Sequence, residues 1–101
     1  MEEWDSQGAF NDIYKYIREQ GGNLSNWYCG ITSDWEDRLF TEHKIPQGED
    51  YWFIVRQCHN ENDARGVKGA FIDLGCDGYR GGGDTESVYI YAYLKGTMTE
   101  P

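Results

Sequence analysis

Tyr28-Cys29-Gly30-Ile31-Thr32-Ser33-Asp34-Trp35-Glu36-Asp37-Arg38-Leu39 is the stretch on which the reading of this chain turns. Trp27 to Ile31 is a short apolar run suited to a strand. Ser33 then offers an N-cap hydroxyl and Glu36 follows three residues later, the capping box that opens a helix. Leu39 and Phe40 would face a core from that helix, and Arg38 would stand on its exposed side. Pro46 limits it, because the residue before a proline avoids the helical region.

Working outward, Phe10, Ile13, Tyr14 and Ile17 recur at helical spacing within Ser6 to Gln20, and Gly21-Gly22 stops that helix. Asn23 to Asn26 make a polar connection. Beyond the turn at Gln47-Gly48-Glu49-Asp50, Tyr51-Trp52-Phe53-Ile54-Val55 is apolar on both faces, as a strand covered on two sides would be. Asn60 to Asp63 supply caps for a further helix with Ala64, Val67, Phe71 and Leu74 on its stripe. Gly66 and Gly69 weaken that helix, and Gly75 ends it. Cys76 to Glu86 is a glycine-rich loop. Ser87 to Lys95 alternates Val88, Ile90, Ala92 and Leu94 with Tyr89, Tyr91 and Tyr93, a strand with two distinct faces. Gly96 to Pro101 reads as a frayed tail. The order α-β-α-β-α-β predicts an α+β fold, a small three-stranded sheet covered by about three helices. At 101 residues it forms a single domain over 1–101.

Aromatic residues are 16% of the chain, with eight Tyr and four Trp, so each core position removes much area from water. Nine basic against eighteen acidic residues give a formal charge of −9, a field that opposes phosphate backbones and suits a soluble protein. No apolar run approaches a membrane span, and the acidic opening Met-Glu-Glu-Trp-Asp-Ser is no secretory signal. Cys29, Cys58 and Cys76 are odd in number and lack a CxxC pair, which fits three reduced thiols in a cytoplasmic protein. Zinc on Cys58, His59, His43 and Cys76 lacks the usual ligand spacing.

From Trp27 to Leu74 the chain resembles the GIY-YIG nuclease superfamily. Tyr28 and Gly30 match the tyrosine and glycine of its "YxG" strand, and Arg38 stands ten residues after Tyr28, at the offset of the family's arginine. His43 lies one position late for a histidine often found at the end of that helix. The resemblance implies a strand tyrosine that helps deprotonate water, an arginine that stabilises phosphate charge, and a helix glutamate that holds a divalent metal. It makes Tyr28, Arg38 and His43 the catalytic candidates, with Mg²⁺ as cofactor only where activity survives. The chain departs from the pattern twice. No "GIY" strand precedes Tyr28, since Asp12-Ile13-Tyr14 sits in helical surroundings. Val88-Tyr89-Ile90-Tyr91 takes that place by rearranged connectivity. The metal-binding glutamate falls near Val67-Lys68, where lysine cannot ligate Mg²⁺; Glu61 and Asp63 instead read as helix N-terminal charges.

The binding candidates are Gly30, then Tyr89 and Tyr91, the two tyrosine rings suited to stack bases or pack under a helix, and Arg80, the cation of the glycine-rich loop. No metal ligands are assigned. The reading is a catalytically silent GIY-YIG-like binding or adaptor module with a protein partner. Two alternatives stand beside it. One is a metal-dependent DNA endonuclease with a reordered site, its basic patch drawn from Arg18, Arg38, Lys44, Arg56, Arg65 and Lys68. The other is an acidic nucleic-acid mimic that inhibits a DNA-binding protein. DNA binding is disfavoured by charge, no membrane is involved, and an open sheet edge leaves room for a dimer.

Overall fold

The computed structural model describes residues 2–46, 52–79, 86–96, 99 and 100. Helix α1 (Ser6–Glu19) opens where the Asp5 carboxylate accepts the Gly8 N–H at 2.7 Å, and it buries Ala9, Ile13 and Ile17. Helix α2 (Glu61–Asp73) opens the same way, with the Asn60 side chain accepting from Asp63 N–H at 2.8 Å. Its buried stripe is Ala64, Val67, Lys68 and Phe71. Strands β1 (Glu3–Trp4), β2 (Trp27–Thr32), β3 (Phe53–Cys58) and β4 (Tyr89–Leu94) form one mixed sheet in the order β1-β3-β4-β2. Strand β4 runs antiparallel to both neighbours, and β1 runs parallel to β3.

The fold is α+β, and it differs from the sequence reading in several places, among them Leu74, which is exposed rather than on the buried stripe of α2, and β3, which runs to Cys58 rather than ending at Val55. The sheet has four strands rather than three, because Glu3–Trp4 adds to β3. Two residues are too few to show a periodicity. The helix after β2 is mostly a π-helical turn, Asp37–Glu42. Its start is capped by Asp34 rather than by a Ser33–Glu36 box: the Asp34 carboxylate accepts from Asp37 N–H at 3.2 Å. Thr32 Oγ accepts in turn from Asp34 N–H at 3.1 Å. Finally, within the stretch expected to fray, the described residues Thr99 and Glu100 are held: Glu100 N–H donates to His43 C=O at 2.8 Å and Thr99 is buried.

The sheet's two faces carry two cores. Against α1 and α2 lie Trp27, Cys29 and Ile31 of β2, Ile54 and Cys58 of β3, and Ile90 and Ala92 of β4. On the other face Val55, Tyr91 and Tyr93 are buried with Leu39 and Ile45. Tyr28, Trp35, Phe40, Phe53 and Tyr89 are packed around them, half-buried. Burying each such large apolar side chain contributes about 1.5–3 kcal/mol. The outer edge of β2 is bridged by Asp77 at Tyr28, and the two-residue β1 covers only Gln57 and Cys58 of β3.

Candidate functional site

The second face gathers the chemistry-bearing residues. Gly30 of β2 sits opposite Tyr91 of β4, and a Cβ on Gly30 would lie 2.6 Å from Tyr91 Cζ and closer still to its hydroxyl. The glycine of the "YxG" run therefore exists to let the Tyr91 ring lie across the strand. Tyr28 pairs with Tyr93 in the same register, their rings 5.4 Å apart.

His43 reaches this pair through the π-turn. Its N–H donates to Arg38 C=O at 2.9 Å, a five-residue step. Such a turn takes up one residue more than an α-turn. The turn brings its ring to 4.8 Å from Tyr28 and 5.0 Å from Tyr93. Nδ1 lies 2.7 Å from Glu100 C=O and Nε2 lies 2.8 Å from Tyr91 Oη, with Tyr93 Oη 3.1 Å from Nδ1. A carbonyl only accepts, so Nδ1 carries the proton and the neutral ring accepts the Tyr91 O–H at Nε2. Tyr91, Tyr93 and His43 are 1%, 0% and 5% exposed.

Burial sets the protonation of the cluster. It holds His43 below the usual histidine range, against the Glu100 carbonyl, which favours the protonated ring. It pushes the Tyr91 phenol far above its ordinary value. Tyr28 is raised too, by burial first and then by the Asp77 carboxylate, with the Arg38 charge opposing both. Neither phenol is poised to take a proton from water near neutral pH.

Arg38 is partly exposed, with Nε 3.2 Å from a Glu42 carboxylate oxygen but not aligned as a hydrogen bond. Such an exposed pair contributes little. Beside it a cleft of about 450 Å³ is lined by Asp34, Glu36, Asp37, Phe40 and Thr41, a surface that opposes an approaching phosphate. The six cations proposed for a basic patch are spread over α1, the π-turn, β3 and α2, with Lys44 just beyond the π-turn. Arg56 donates to Asp12 at 2.7 Å, Arg65 pairs with Glu61, and Arg18 lies over the Tyr14 ring. Lys68 is buried on α2, and its Nζ donates to Tyr79 C=O at 2.9 Å. The Lys68 C=O is 3.8 Å from the Cys29 thiol, on the helix-covered side of the sheet.

The structure thus brings together Tyr28, Gly30, Arg38, His43 and Tyr91 of the residues singled out in the sequence. Tyr89 is half-buried at the border of the cluster, and Arg80 falls outside the described residues. Tyr93 and Glu100 complete the cluster and were not among the site candidates. The alternation of β4 does put Tyr93 on the face of Tyr91; nothing in the tail's sequence points Glu100 at His43. Among the described residues no three His, Cys, Asp or Glu side chains group as a metal site, and no helix is long and apolar enough to cross a membrane. Comparison with protein-family models, curated proteins and solved structures found no match.

Proposed function

We propose that this chain is a catalytically silent, GIY-YIG-like domain that acts as a binding or adaptor module for another protein. The observation that carries this reading is the closure of the tyrosine–histidine cluster: both ring nitrogens of His43 are engaged, by Tyr91 Oη and by the Glu100 carbonyl. Groups held this way have no free lone pair or proton for a water molecule, and a nuclease needs one. Lysine at position 68 supports the silence, since an acid is what a divalent cation would require there. One feature supports the kinship. Strand β4 lies between β2 and β3, where the rearranged "GIY" strand is expected. The acid-lined cleft beside Arg38, with the net charge of −9, favours a second reading as a mimic of nucleic acid that occupies a basic protein.

Supercoiled plasmid incubated with the protein and Mg²⁺ or Mn²⁺ tests the first reading. The expected result is no nicking above buffer, for wild type and Arg38→Ala alike. Metal-dependent nicking that Arg38→Ala abolishes would establish the endonuclease instead. Salt-sensitive binding to a basic DNA-binding protein, with none to duplex DNA, would favour the mimic.

A further inference from the structure

His43 meets the segment that follows β4 at one residue, Glu100, and meets it twice. Glu100 N–H donates to the His43 carbonyl at 2.8 Å, and His43 Nδ1–H donates to the Glu100 carbonyl at 2.7 Å. Both contacts use main-chain atoms of Glu100, and the residue itself is exposed. The seat is fixed from beneath. Tyr91 Oη, 2.8 Å from Nε2, and the Tyr28 and Tyr93 rings at 4.8 and 5.0 Å hold the imidazole. Ile45 N–H closes the turn on Leu39 C=O at 2.9 Å. Lys44, between His43 and Ile45, has φ +59°, a left-handed conformation that a lysine rarely adopts. The turn thus presents the His43 carbonyl and ring N–H together, as a preset acceptor and donor.

We propose that His43 is a docking seat for an extended peptide segment of a partner protein, held by the chain's own Thr99–Glu100 until that segment displaces it. The proposal rests on the adaptor reading above and names the surface the partner uses. A residue bound through both its N–H and its C=O is recognised as an added strand is, main-chain bonds giving affinity and alternate side chains specificity. Thr99 is buried and Glu100 exposed, so the seat selects a small side chain before the docked residue and accepts any side chain on it. Two such bonds hold a segment by about ten- to a hundredfold, which a longer partner segment outcompetes. Tyr93 Oη, 3.1 Å from Nδ1, takes the ring N–H when the Glu100 carbonyl leaves. The vacated nitrogen is a donor and not a base, and Nε2 stays on Tyr91, so the seat remains silent. Exchange of tails between two copies is opposed by a local turn. Thr99 N–H and Oγ–H donate to Gly96 C=O at 3.2 and 3.0 Å, and Gly96 N–H donates to Thr99 Oγ at 3.0 Å. An exchange would break that turn.

The test uses the full chain and a labelled, amidated peptide of sequence Lys-Gly-Thr-Met-Thr-Glu-Pro, followed by fluorescence anisotropy and ¹H–¹⁵N NMR. Glu100→Pro deletes the N–H that holds the His43 carbonyl. This variant should bind the peptide about tenfold or more tighter than wild type, with shifts centred on His43. Replacing the peptide's Glu by Ala should change affinity by less than about twofold, and N-methylating that residue should weaken it about tenfold or more. Without peptide, Glu100→Ala should keep the residue-100 amide as protected from hydrogen exchange as in wild type. Loss of that protection would overturn the proposal, as would a peptide that ignores N-methylation or requires its Glu side chain. So would no binding to Glu100→Pro at millimolar peptide, shifts on the Phe10–Phe71 side, or a wild-type dimer that Glu100→Pro makes monomeric, the mark of tail exchange. The hydrogen-exchange measurement decides even where Glu100→Pro fails to fold. Metal-dependent nicking would sink the adaptor reading and leave these bonds untouched, so the two fail separately.

Discussion

On the helix-covered face of the sheet, Ile13, Ile17, Val67, Phe71 and Ile90 are buried through carbon surfaces. On the opposite face, Tyr91, Tyr93 and His43 are buried as deeply, but their hydroxyls and ring nitrogens must find partners. The first face needs volume, and many apolar side chains supply volume. The second needs particular atoms at particular distances, because an unmet polar group in a core is costly. One sheet therefore has a side governed by packing and a side governed by hydrogen bonding.

The largest effect should come from the packing side. Phe71→Ala removes a fully buried ring stacked 4.7 Å from Phe10, and urea unfolding should show a loss of about 3–5 kcal/mol. Gly30→Ala probes the border between the two regimes. Its new methyl meets the Tyr91 ring and hydroxyl, with a loss of about 1–3 kcal/mol by the same measurement. A near-neutral Gly30→Ala would mean that Tyr91 is free to move aside. Tyr91→Phe keeps the ring and deletes one oxygen. It leaves His43 Nε2 without its donor, so about 1–3 kcal/mol should be lost although almost no volume changes. If Tyr91→Phe is neutral, the second face is a packing face like the first.

This difference also decides what could be read in the sequence. Period and caps sufficed for α1 and α2, since Ile13, Ile17, Val67 and Phe71 announce their face by spacing. Tyr28, Gly30 and Arg38 were singled out by the motif they resemble, and β2 with the π-turn after it carries all three. The π-turn was not legible, because an i→i+5 step has no composition cue. Strand β1 is too short to alternate. The pairing of Glu100 with His43 spans 57 residues and is made by backbone atoms, to which residue identity contributes nothing.

A ¹⁵N-resolved NMR titration of the His43 ring tests the closed cluster most directly. Burial depresses its folded pKa below the ordinary 6.5, so the stability it contributes is complete above that value and is lost as the pH falls below it. The expected result is a neutral ring protonated at Nδ1 that titrates only below pH 6.5, in step with falling stability. A His43 that titrates at or above 6.5, or that carries its neutral-state proton on Nε2, would contradict the account: the Tyr91 hydroxyl would then lack its acceptor, and the cluster would be open to catalysis.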